Sequence, residues 1–183
     1  MPRIAPLGPP YPPDAQATFD KIMPAGVDPL LLFRTLAVNG RVYQRFTAGG
    51  LLDRGTLTLR QREIVIDRTC ALNRCEYEWG VHIAFFAAKA KLTPRQIAAT
   101  VDGGDADWSG DERLLLEVCD EFDATRTISD ALWQRLSEYF TPEQILVIIA
   151  LVGFYRTVSL HANALKLPLE PFAARFPAMT VNR

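Results

Sequence analysis

Only two histidines and three cysteines occur among the 183 residues. An odd, small number of cysteines is not a disulfide scaffold and fits a reducing compartment. With two histidines, a metal centre built mainly from imidazole is excluded. Charge of one sign is also missing: 20 Lys+Arg against 21 Asp+Glu leave a formal net charge of −1. Phosphate-backbone binding needs a basic excess or stripe, so no nucleic-acid partner is expected. Period-2 apolar alternation is nearly absent, and no Asn-Gly or Asp-Gly turn joins alternating runs, which excludes a hairpin-built sheet. There is no Gly-rich phosphate loop, no G-x-S-x-G elbow and no paired C-x-x-C zinc pattern. The longest apolar run, Ile145 to Tyr155, is shorter than the roughly 20 residues that span a bilayer. No apolar stretch follows Arg3 to make a signal peptide. A soluble, cytoplasmic protein with no membrane partner is expected.

What remains is 49% hydrophobic and 22% charged, an ordinary globular composition in a length that suits one domain. Six of the first 13 residues are proline. Residues 1–13 therefore read as an extended arm, lying over the domain or over a neighbouring subunit. Residues 14–183 read as a single all-α domain of about eight helices. Helices are expected over Ala15–Met23 capped by Asp14, Leu30–Asn39, and Arg41–Ala48. Longer ones are expected over Thr58–Leu72, Cys75 or Glu76 to Lys91, Ser109–Arg126, Ser129–Phe140 and Thr141–Leu165. Capping boxes open four of the helical segments, at Thr58 with Gln61, Ser109 with Glu112, Thr93 with Gln96 and Thr141 with Gln144. The last two have proline at the first helical position.

The chemistry concentrates between Arg62 and Lys91. On the first of these helices Leu59, Glu63, Ile66 and Cys70 share a stripe. Glu63 beside Ile64-Val65-Ile66 has little polar surface around it, so it must be paired, with Arg68 as one candidate, or carry a raised pKa. On the next helix Cys75, Glu78, Trp79, His82, Phe85, Phe86 and Lys89 fall on one side. Glu78 and His82 are i,i+4 and can hydrogen-bond directly. Thiol, carboxylate and imidazole thus line up beside large aromatic rings, the setting in which pKa values become perturbed and useful. The candidate catalytic set is Glu63, Cys75, Glu78 and His82, with Trp79 and Phe85 as substrate-binding walls.

The same residues resemble a known family. Glu63, then Cys75 twelve residues on, position 78 and His82 reproduce the E-x11-C-x2-C-x3-H spacing of the alkylhydroperoxidase AhpD. Position 78 departs from it, being Glu where that framework has its second Cys. Arg62-Glu63-Ile64-Val65-Ile66 and the run Asn73 to His82 are similar to the carboxymuconolactone decarboxylase-like branch of the AhpD-like superfamily. Leu32-Phe33-Arg34-Thr35-Leu36, Asn163-Ala164-Leu165 and Pro168-Leu169 resemble its longer single-domain members. The resemblance implies an AhpD-like helical bundle that forms homo-oligomers (dimers, trimers or hexamers) and acts on a small molecule. With Glu78 in place of the second Cys, the dithiol peroxidase cycle is lost.

Three readings follow. The first is a cofactor-independent, carboxymuconolactone decarboxylase-like enzyme acting by Glu/His proton transfer on a small organic acid or lactone. In it His82 is the base or acid, Glu78 orients it and Glu63 completes the relay; Arg34, Arg68, Arg74 and Arg156 are candidates for binding substrate carboxylates. The second is an AhpD-like peroxidase, a peroxiredoxin activity in one-Cys mode through Cys75. It would be recycled by an external thiol reductant, with Cys70 the better internal resolving candidate. The third is a non-catalytic oligomer that binds an apolar small molecule among Trp79, Phe85 and Phe86. A metal site from Glu63, Glu78, His82 and His161 is the least favoured arrangement, and no metal or cofactor is expected.

Overall fold

The protein was analysed as a computed structural model, which describes residues 2–178. Nine helices and no strand occur among the described residues, against about eight helices expected. They are α1 (Pro13–Ile22), α2 (Leu31–Leu36), α3 (Gly40–Ala48), α4 (Leu59–Leu72), α5 (Glu76–Phe86), α6 (Pro94–Asp102), α7 (Gly110–Thr125), α8 (Asp130–Tyr139) and α9 (Pro142–Leu165).

All four capping boxes form as the sequence spacing requires, at Thr58, Thr93, Ser109 and Thr141. Two expected boundaries move. The α2 helix stops at Leu36 instead of Asn39, because the Asn39 side chain accepts from the Val42 N–H and so begins α3. The α5 helix stops at Phe86 instead of Lys91. Lys91 adopts a left-handed φ of 55°, and the Leu92 N–H closes back on the Ala87 carbonyl, the usual way a helix end is satisfied.

The central element is α4, packed against α5, α6, α7 and α9. Every residue from Glu63 to Cys70 on it is buried. A helix enclosed on all sides has no solvent face for polar groups. Its four ionisable residues in that run therefore have to be satisfied by the protein itself. The proline-rich arm lies over its own domain: the Leu7 N–H donates to the Arg34 carbonyl, and Arg34 Nε donates to the Leu7 carbonyl at 2.7 Å.

After α9 the chain returns irregularly along α5. The Ala174 N–H donates to the Gly80 carbonyl at 3.0 Å, and the Phe176 ring packs on Trp79. This return fixes the identity of Gly80. A Cβ there would sit 2.3 Å from the Ala174 carbonyl oxygen, well inside van der Waals contact. Gly80→Ala is expected to lower stability by about 1–3 kcal/mol, the range for overpacking. It should also expose the chain after Leu169 to proteolysis. Urea unfolding together with limited proteolysis checks it, and an unchanged cleavage pattern would show that the return segment does not need the glycine.

Candidate functional site

Two helical turns build the site. Glu63 and Asp67 are one turn apart on α4, and Glu78 and His82 are one turn apart on α5, so each helix offers a pair of side chains to the other. His82 Nδ1 lies 2.7 Å from Glu63 Oε2. The other oxygen, Glu63 Oε1, accepts from Arg62 Nε at 3.0 Å and Nη2 at 2.9 Å. His82 Nε2 lies 3.5 Å from Glu78 Oε1, an ion-pair contact longer than a good hydrogen bond. The imidazole is wedged edge-on against Tyr155 and tilted over Phe86. Burial alone would lower the His82 pKa, but Glu63 and Glu78 outweigh it and raise it to about 10. His82 is therefore an imidazolium at neutral pH, held between two carboxyl groups. Asp67 is also buried. Burial first, and then the neighbouring Glu63, push its carboxyl well above the ordinary range, which favours its neutral form. Asp67 Oδ1 and Glu78 Oε2 are buried and have no hydrogen-bond partner.

A cavity of about 760 Å³ opens beside this cluster. Glu78, His82, Tyr155, Thr47 and Asp53 are polar members of its lining, and Phe33, Phe46, Phe85, Phe86 and Phe154 dominate the rest. Lys21 and Lys89 are its cations.

The structure brings Glu63, Glu78 and His82 together and leaves other expected residues elsewhere. Cys75 is the N-cap of α5 and is fully buried, but it is not in the cavity wall. Burial pushes its thiol up to about 11, more than the backbone N–H of Glu78 can offset. Cys70 is likewise buried with its thiol pushed up, first by burial. Phe85 lines the cavity, but Trp79 does not. Trp79 turns into the core, where its indole N–H donates to Thr100 Oγ1 at 3.0 Å, so its expected role as a substrate wall is corrected.

Arg68 is not the partner of Glu63. It points to Asp120 and to the carbonyls of Thr100 and Val101. Arg34 is spent on the N-terminal arm, Arg156 faces Asp123, and Arg74 lines a separate small cleft. None of the four arginines expected at the substrate lines the cavity. His161 bonds the Thr157 carbonyl and packs on Phe46, so the four-ligand set containing it is not assembled. Among the described residues the donor group with metal-like spacing is Glu63, Asp67 and His82, whose ligand atoms lie within 4.8 Å of one another. Glu63 already spends one oxygen on Arg62 and the other on His82, so a cation there would have to break an existing bond.

Sequence reasoning missed Asp67, Arg62 and Tyr155. Asp67 was recoverable, since it lies four residues after Glu63 within the same apolar run. Tyr155 arrives from α9, and no local spacing marks it.

Comparison with known proteins places the site in context. Residues 39–115, which contain Glu63, Cys75, Glu78 and His82, match the carboxymuconolactone decarboxylase family. The fold is similar to an uncharacterized peroxidase-related protein from Silicibacter sp. TM1040, with TM-score 0.79 and 21% identity over 94% of this chain and 93% of that one. It is also similar to the alkylhydroperoxidase AhpD core of an uncharacterized peroxidase-related protein from Ralstonia eutropha JMP134. There the TM-score is 0.75 and the identity 26%, over 88% of this chain and 87% of that one. The debrominase Bmp8 shares the fold at TM-score 0.72 and 15% identity, over 92% of each chain. No curated protein matches the sequence.

Proposed function

Because the chain belongs to the carboxymuconolactone decarboxylase/AhpD-like superfamily, a grouping of decarboxylase and peroxidase-related proteins, we propose that it is a proton-transfer enzyme. Its substrate is a small, largely apolar carboxylic acid or lactone. One observation carries this reading: Glu78 and His82 meet the cavity, whereas Cys75 is absent from its wall.

The charge states assign roles that differ from those read in the sequence. His82 is already protonated, so it is the acid. Glu63, itself held by Arg62, fixes the ring through Nδ1 and leaves Nε2–H to serve the reacting atom. Glu78, with one oxygen unpartnered, is the base. In proton abstraction, Glu78 takes the proton from carbon while Nε2–H stabilises the developing enolate oxygen. In a decarboxylation, the C–C electron pair stays on the substrate carbon as an enolate, CO2 departs, and His82 returns a proton to that carbon. Lys89 and Lys21 supply the positive charge that holds a substrate carboxylate. The aromatic lining excludes water and strengthens these interactions.

The test is a screen of lactones and carboxylic acids followed by two variants. Glu78→Gln should lower kcat by about 10²-fold or more, the scale of general acid–base catalysis. Cys75→Ser should stay within a few-fold of the parent. If hydroperoxide is consumed and Cys75→Ser abolishes this while Glu78→Gln does not, a one-Cys peroxidase recycled by an outside thiol replaces the present reading.

A further inference from the structure

The cleft that Arg74 lines, of about 520 Å³, shares no residue with the cavity beside His82. Three chain segments meet there, and each brings one cation. Arg74 comes from the junction of α4 and α5, Lys166 from the end of α9, and Arg175 from the returning chain. Hydrogen bonds between the segments hold the walls. Asn163 Nδ2 donates to the Asn73 carbonyl at 2.9 Å, and the Phe176 N–H donates to Glu76 Oε1 at 2.9 Å.

The three cations have no partner within the fold. Arg60, Arg62, Arg68, Arg113 and Arg135 each face a carboxylate. Arg74, Lys166 and Arg175 are exposed and face none among the described residues. Glu76 is the acid in the cleft lining, and one of its oxygens is taken by the Phe176 N–H. Glu170 turns its Oε1 to the Tyr77 hydroxyl and the Leu31 N–H instead. Like charges brought together repel, and here cations gather in a chain whose net charge is −1.

The backbone carries a second cost at the same place. Arg74 and Lys166 stand at φ of 53° and 52°. That left-handed region suits glycine or asparagine, not a long side chain. The dipole of a preceding helix favours a basic residue at its end. This accounts for left-handed Lys91 and for Arg126, which also pairs with Asp123. It does not account for two such residues lining one cleft together with a third cation. Strain and repulsion held at one place are the mark of a ligand site.

Charge and lining define the ligand. Three cations and one carboxylate leave two positive charges. Guanidinium groups grip oxyanions through two parallel bonds. Ala162, Leu167, Pro168 and Leu169 add an apolar wall, and the volume lies in the range of small-molecule sites. We propose that this cleft binds a small organic dianion, the chemistry that phosphate monoesters and dicarboxylates share, with Arg74, Lys166 and Arg175 as its ligating cations. The inference does not depend on the reaction proposed above.

Calorimetric titration of the full chain with phenyl phosphate and with glutarate is the test, at an ionic strength held constant with sodium chloride. Benzoate serves as the monoanion control. Phenyl phosphate, glutarate or both should bind at one site per chain, and the one that binds names the source of the dianion. Arg175→Gln and the double variant Arg74→Asn/Lys166→Asn should each weaken that binding by about tenfold or more, the scale of one lost charge-assisted hydrogen bond. Without ligand, the double variant should melt higher than the parent, because asparagine relieves the left-handed strain and the repulsion leaves with the charges. Failure of both dianions to bind, benzoate binding as tightly as they do, or binding that survives either variant overturns the proposal. So does a ligand-free double variant that melts below the parent, which would make Arg74 and Lys166 helix-end residues only.

Discussion

Glu63→Ala will destabilise the chain by about 3–5 kcal/mol, the range for removing one partner of a buried ion pair. The size follows from what the carboxylate touches. Both Arg62 nitrogens bond one oxygen and His82 Nδ1 bonds the other, so the truncation strands two cations at once. The surroundings offer no ready replacement, since burial favours the neutral form of Asp67 and Glu78 reaches only Nε2. Loss of the carboxylate also removes the largest of the causes that raise the His82 pKa, so that pKa should fall from about 10. Glu63→Gln retains volume and one acceptor and should fall between the parent and the alanine variant. An exposed pair gives the scale: Asp107→Asn, which suits the left-handed φ of 56° there, removes the surface charge pair with Arg95 and should cost at most about 1 kcal/mol. Urea unfolding with an unchanged m-value measures all three. Equal effects for Glu63→Ala and Asp107→Asn would show that Glu63 is not the electrostatic anchor of the site.

The parts of this arrangement that were legible in the sequence are the local ones. Thr58, Thr93 and Thr141 announce helix starts because a cap is a contact over three residues. Glu63 among Ile64, Val65 and Ile66 announces a buried carboxylate because helical spacing alone denies it water. The i,i+4 relation of Glu78 and His82 is also local, and the two side chains lie within ion-pair distance. What could not be read is set by packing between helices. Glu63 had two arginines within reach, and Arg62 rather than Arg68 pairs with it, since Arg68 is drawn to Asp120 and to the carbonyls ending α6. Trp79 shares a helix with His82 but is turned toward Phe176 by the returning chain, a segment about a hundred residues away. The charge of His82 needs both Glu63 and Glu78 in place. The sequence left His82 as either base or acid, and no single-helix argument decides between them.

The same cluster makes stability fall as pH rises. A group whose pKa is higher in the folded than in the unfolded chain binds more protons when folded, so the slope of stability against pH is negative where it titrates. For His82 the contribution is full below the ordinary value of 6.5 and disappears as pH rises through about 10. For Asp67 the loss begins just above the ordinary carboxyl value of 3.8 and continues upward, because the unfolded chain releases its proton while the folded one keeps it. Asp111 and Glu112 act in the opposite sense. Burial raises them, but hydrogen bonds from Ser109, Gln61 and Arg60 prevail and hold both low, so they lose stability only as pH falls through their own lowered pKa values. Maximum stability is therefore expected on the acid side of neutrality. Asp67→Asn separates the contributions. The amide is neutral, nearly isosteric and takes up no proton on folding, so the variant should be the more stable chain at pH 7. Its advantage should widen with pH at up to about 1.4 kcal/mol per unit, the value of one proton, until Asp67 itself ionises in the folded parent. Urea unfolding of parent and variant at pH 5, 6.5 and 8 reads the difference directly. The infrared carbonyl band of a protonated carboxyl at pH 7 should be present in the parent and absent in Asp67→Asn. Parallel stability curves with no such band would mean that Asp67 is ionised, and the charge balance around His82 would have to be redrawn with one more negative group.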